Sequence, residues 1–277
     1  MHVLRSSALL LLLAIAAWSP RAAAQTLPVQ VSVNGSTATV VIGDPDVPIA
    51  DVTLAFEDVA GLTPASLGVS AQLVDITEPS LVVRLPGGAL TLPQGAFPLL
   101  ITIEPPALGG LRFRTVRVDV HTHALPYAVG SPLRLFKAPL SGNFTDITDE
   151  IAPGSVRARG TTGGFSQFLV LADLRPTSLV VASKLSSLRA RVATLPVTER
   201  PAFNALLDAI ESDVASGNFA AALASVDAFR TRATQRAGVQ LLDEWRATRD
   251  GDNQAGDLIA GAATLRFSVA FLRDFGD

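Results

Sequence analysis

The chain has 277 residues, with 22 Lys and Arg against 25 Asp and Glu, and it contains no cysteine. This charge balance excludes the basic stripe of a nucleic-acid binder, and the lack of cysteine excludes disulfides, thiolate metal centres and thiol catalysis. Stability must come from core burial, and at about 100 to 200 residues per domain the length suits one or two domains.

Residues 1–24 read as a secretory signal. His2 and Arg5 precede the apolar run Ala8–Ala17, and Ala22-Ala23-Ala24 offers an A-x-A cleavage site. The run is well short of the roughly 20 residues that a spanning helix needs, so the expectation is an exported protein, periplasmic or extracellular, and not a membrane-spanning one. Cleavage would remove Arg5 and Arg21 and move the formal net charge from −3 to −5.

Val29–Val33 and Thr37–Ile42 flank Asn34-Gly35, a strong hairpin signal, and Gly43-Asp44-Pro45-Asp46 breaks the strand that follows. Asp51–Phe56, Val69–Val74, Leu81–Leu85 and Phe97–Glu104 are further short β runs. Arg112–His123 is the longest strand-like run. Alternation puts Val116, Val118, Val120 and Thr122 on one face and Arg117, Asp119, His121 and His123 on the other. Phe113 sits on the odd face while the valines sit on the even one, which predicts a bulge near Thr115. β character resumes at Leu133–Lys137, Phe144–Thr148, Ser155–Arg159 and Phe165–Leu171. Strands separated by regular turns predict an antiparallel β-sandwich, either one region over 25–176 or 25–125 with a smaller β unit at 126–176.

From 177 to 277 the period changes to that of helices. Leu185, Leu188, Val192 and Leu195 form one stripe that Pro196 ends. Thr198 is placed to cap a second helix, with Glu199 in its first turn and Gly217 as its stop, and Asn218 to cap a third. Helical runs are also predicted at Val239–Arg249 and Leu258–Arg273, joined by Asp250-Gly251-Asp252-Asn253. The last run is about 15 residues, too short and too charged to span a bilayer. The fold class is therefore α+β, a β-sandwich followed by a helical bundle.

Two stretches carry a resemblance. Ser216-Gly217-Asn218-Phe219-Ala220-Ala221-Ala222-Leu223 with Ala228-Phe229 resembles the FIMAH-type helical module of exported bacterial proteins, over roughly residues 180–240. Val52–Phe56, Gly61-Leu62-Thr63-Pro64, Pro132–Phe136 and Gly163–Phe168 look like uncharacterised exported bacterial proteins, with a cohesin- or immunoglobulin-like sandwich as the nearest architecture. The resemblance implies an accessory or binding module and brings no catalytic residues with it.

The candidate metal ligands are Asp119, His121 and His123. At i, i+2 and i+4 on one strand face they stand about 6 to 7 Å apart, and histidines on alternate positions can chelate zinc with a carboxylate as third ligand. The same face also reads as the solvated side of a sheet. Asp250-Gly251-Asp252-Asn253 fails as an EF-hand, because Ala255 and Gly261 stand where glycine and glutamate are needed. Gly164-Phe165-Ser166-Gln167-Phe168 lacks the second glycine of a serine-hydrolase elbow, and no P-loop or dinucleotide fingerprint is present. The sequence therefore predicts a non-enzymatic exported protein that needs no cofactor, with a protein or envelope polymer as partner. The alternative is a metal- or carbohydrate-binding accessory module of an exported hydrolase system.

Overall fold

The computed structural model describes residues 25–277, so the expected export signal lies outside the described residues. The chain is α+β, with two large antiparallel sheets followed by helices. The first sheet runs β1 (Gln25–Leu27), β5 (Val69–Leu73), β7 (Leu99–Ile103), β14 (Gln167–Asp173), β10 (Leu133–Ala138) and β11 (Thr145–Asp146), with β6 (Thr91–Pro93) paired to β14. The second runs β12 (Thr148–Ala152), β13 (Ser155–Thr162), β9 (Thr115–Pro126), β4 (Val47–Glu57), β3 (Thr37–Asp44) and β2 (Val29–Asn34). Of the strands between residues 126 and 176, β10, β11 and β14 extend the first sheet and β12 and β13 the second.

Alternation decides which faces meet. In β9, Val116, Val118 and Val120 are fully buried and stand opposite Phe56, Leu54 and Val52 of β4. Leu99, Ile101 and Ile103 of β7 and Phe168 and Val170 of β14 fill the same core from the first sheet. Each such side chain contributes about 1.5–3 kcal/mol on burial. The first sheet is covered on its other face too, where Leu100, Phe136, Leu169 and Leu171 pack against Leu81, Leu85 and Phe144. Its central strands β7, β14 and β10 therefore read as nearly continuous apolar runs. The second sheet has a polar outer face and strict alternation.

The hairpin at Asn34-Gly35 forms with Asn34 opposite Thr37 and Gly35 at φ +59°, a left-handed conformation that glycine adopts without penalty. Several expectations need correction. Leu81–Leu85 is not a strand: after the short helix α1 (Pro64–Leu67), α2 (Pro79–Val82) starts on Pro79, and Leu81 and Leu85, four apart, turn the same way to cover the first sheet. The parity change near Thr115 involves no register shift, since Asp51↔His121 through Glu57↔Thr115 and the bridge Ala60↔Arg112 keep one register. The strand bends at Arg114, opposite Asp58 at φ +52°, and turns Phe113 onto Phe56 at 5.2 Å between ring centroids. Val239–Arg249 is not helical. Within it, β15 (Trp245–Arg246) pairs with β8 (Arg112–Phe113), and the Trp245 ring packs 4.8 Å from Phe113 and 5.6 Å from Phe165.

Four long helices complete the chain: α3 (Thr177–Val192), α4 (Arg200–Ala215), α5 (Phe219–Arg236) and α6 (Gln254–Phe275). Gly217 at φ +74° turns α4 into α5, and Phe203 packs 4.9 Å from Phe229 across that hairpin. Neither expected side-chain cap forms. α4 begins after Glu199, whose carboxylate bonds Arg232 at 2.7 Å instead, and Asn218 holds the cap position of α5 without a side-chain bond. α6 is longer than expected because Asn253 starts it early, accepting from Gly256 N at 3.0 Å. Among the described residues it is the one helix whose length and composition would cross a membrane, and 61% of its apolar window is buried against the rest of the protein.

Candidate functional site

α6 packs on β12 and β13, and α3 lies beside it, which leaves a cleft of about 440 Å³ between the second half of the β region and the helices. Lys137 enters it from β10. Alternation places Lys137 on the face of Leu133 and Leu135, which point into the core, so the strand directs a lysine where a core residue would otherwise lie. Its Nζ donates to Thr162 Oγ1 at 2.7 Å, and the Thr162 hydroxyl donates onward to Gly164 O at 2.9 Å. Among the described residues no carboxylate oxygen lies within 4.0 Å of that ammonium. Burial pushes Lys137 down to about 8, and Asp257 offsets only part of this effect.

The other cleft charges are matched. Lys184 of α3 and Asp146 of β11 form a buried ion pair at 2.6 Å, and Lys184 also donates to Thr264 Oγ1 at 2.5 Å and Ser268 Oγ at 2.9 Å. Arg191 of α3 pairs with Asp252 and, at 3.0 Å, with Asp257 in the first turn of α6. Desolvation raises the Asp257 carboxyl above its ordinary value, and Arg191 opposes that shift.

Close approach of the backbones makes the junction possible. A Cβ on Gly163 would stand 2.8 Å from Asp257 N, and one on Gly164 would stand 2.7 Å from Trp245 Cδ1. Asn253 fastens the two parts, its Nδ2 donating to Arg114 O at 2.6 Å and to Gly163 O at 2.8 Å. The cleft residues carry no spacing motif. The readable signals are single charges at inward positions, Lys137 after Leu133-x-Leu135 and Lys184 within the buried stripe Val180, Val181, Leu185, Leu188.

The residues chosen from the sequence as metal ligands lie on the outer face of the second sheet, away from the cleft. His121 and His123 come together, with rings 4.1 Å apart, because His123 leaves strand geometry at φ +24°. Asp119 does not join them. Its Oδ2 accepts from Arg159 Nε at 2.7 Å, and Arg157 stands 3.9 Å away. The carboxylate at the histidines is Asp51, opposite His121 on β4. Its Oδ2 lies 2.8 Å from His123 Nε2 and 3.7 Å from His121 Nδ1. Burial, followed by Arg157 and His123, holds His121 below its ordinary value, which favours the neutral imidazole.

No curated protein and no solved structure matches the chain. A family of unknown function (DUF6689) matches residues 10–273, and the chain belongs to that family.

Proposed function

We propose that the protein is a non-enzymatic exported binding module of the cell envelope or secretome, and that it holds the carboxylate of a small molecule on Lys137 in the cleft between the β layers and the helices. The observation that carries this reading is the Lys137 ammonium, bonded to Thr162 in a cleft with no carboxylate within 4.0 Å among the described residues. A desolvated cation without a counter-ion is costly, and a bound anion offsets that cost. The volume, about 440 Å³, falls in the range of small-molecule sites.

Export rests on the sequence of residues 1–24. An immunoglobulin- or cohesin-like sandwich and a FIMAH-type hairpin belong to the same reading, supported by two sheets sharing one core and by the α4–α5 turn at Gly217. Carbohydrate gains little support as the ligand, because Trp245 is packed among Phe113, Phe165 and Arg249. A second reading, proton-transfer catalysis, is favoured by one observation: Lys137 and Asp257 line one cleft and are both displaced toward their neutral forms.

The test is a thermal-shift and calorimetric series with acetate, succinate, citrate and benzoate on the wild type and on Lys137→Met. Stabilisation of the wild type alone by a carboxylate supports the proposal. No stabilisation by any member, or equal stabilisation of the variant, overturns it. Consumption of a bound carboxylate would transfer the site to the catalytic reading.

A further inference from the structure

We propose that Asp51, His121 and His123 form a surface site for a divalent metal of the zinc class, with one coordination position open to solvent. This site is independent of the cleft. Its three side chains come from two neighbouring strands, and the register places Asp51 directly opposite His121. One ligand atom from each residue lies within 4.8 Å of the other two.

The two edges from Asp51 suit a small tetrahedral centre. Bonds of about 2.0–2.1 Å separate tetrahedral ligand atoms by about 3.4 Å. Asp51 Oδ2 and His121 Nδ1 are 3.7 Å apart, already near that edge. Asp51 Oδ2 and His123 Nε2, now hydrogen-bonded at 2.8 Å, need to part by only about half an ångström, and the imidazole proton is released as the metal takes its place.

Outer contacts orient the set. The second ring nitrogen of His121, Nε2, lies 2.7 Å from Ser155 Oγ, and when it donates there Nδ1 presents its lone pair toward Asp51. The backbone of His123 brings the rings to 4.1 Å, where a regular strand would leave alternate side chains about 6–7 Å apart. Two imidazoles and one carboxylate select borderline cations such as Zn²⁺ or Co²⁺ over Ca²⁺ and Mg²⁺, which require more oxygen ligands. Three protein ligands leave a fourth position. The Asp51 and His123 side chains, 35% and 34% exposed, leave it facing solvent, where water or a donor from another molecule fills it.

The experiment is calorimetric titration of the chelator-stripped protein, carrying no polyhistidine tag, with ZnCl₂ and separately with MgCl₂. Cobalt(II) absorption serves as the second readout. The expected result is one equivalent of zinc, no magnesium heat, and a loss of about 100-fold or more in His121→Ala and Asp51→Asn, with Asp119→Asn unchanged. If His121→Ala fails to fold, His123→Asn carries the same decision from a more exposed position. Absence of zinc heat, or binding that survives the loss of either histidine, overturns the site. Equal loss in Asp119→Asn overturns the assignment of Asp51.

Discussion

Lys184 Nζ lies 2.6 Å from Asp146 Oδ2, and this pair joins helix α3 to strand β11 with side chains only 9% and 2% exposed. Either residue alone would be an uncompensated buried charge. Lys184→Met or Asp146→Asn is therefore expected to cost about 3–5 kcal/mol, and the double variant Lys184→Met/Asp146→Leu less than the sum of the two. Urea denaturation of all three checks this. Burial raises the Asp146 carboxyl, but Lys184 and Arg134 outweigh it and hold it below its ordinary value of 3.8. Its contribution to stability is thus present above that value and is lost as the pH falls through the depressed one.

Lys137→Met is expected to act in the opposite sense. It removes a partly desolvated charge that Asp257 only partly offsets, so the variant should be more stable by about 1 kcal/mol, or about 2–4 °C in Tm, while losing carboxylate binding. A scaffold lysine would lose stability on the same change, and calorimetric melting separates the two outcomes.

The pH dependence of that gain has a defined sign. Lys137 sits at about 8 in the folded chain against 10.5 for a free lysine. Between those values the unfolded chain holds more protons, so wild-type stability rises with pH through this window and the advantage of Lys137→Met narrows. Carboxylate affinity should be flat below about 8 and fall above it. Melting curves and titrations in steps from pH 7 to 10 measure both.

Asn253→Ala removes the Gly256 cap and both donors to Arg114 O and Gly163 O. The expected loss is about 2–4 kcal/mol, with faster amide exchange in the first turn of α6. Asn253→Asp keeps the cap acceptor but turns a carboxylate toward two carbonyls, so it should rescue little.

Most of what was legible in the sequence was periodic. The valines of Arg112–His123, the Asn34-Gly35 hairpin and the helical stripes around Leu185 and Phe203 are dictated within a few residues of chain, and each appears in the structure. What was missed depends on partners far away in sequence. Asp51 reaches His123 across 72 positions through strand pairing, while Asp119, its apparent partner by spacing, is drawn to Arg159. Val239–Arg249 has helical composition, yet pairing with Phe113 and burial of Trp245 outweigh that propensity. Lys137, a charge in phase with Leu133 and Leu135, was passed over in the sequence because the cleft that gives it meaning exists only once α6 has docked.

Trp245 gives the junction an optical label. Trp18 lies within residues 1–24, so Trp245 is the sole indole of the chain from residue 25 onward. It is wedged between Phe113, Phe165 and Gly164, with the Arg249 guanidinium 4.5 Å above its ring. Its emission therefore reports on one place, the seam where sheets and helices meet. If that seam opens before either part melts, the fluorescence transition will precede the loss of helical circular dichroism. If the two transitions coincide, strands and helices form one cooperative unit.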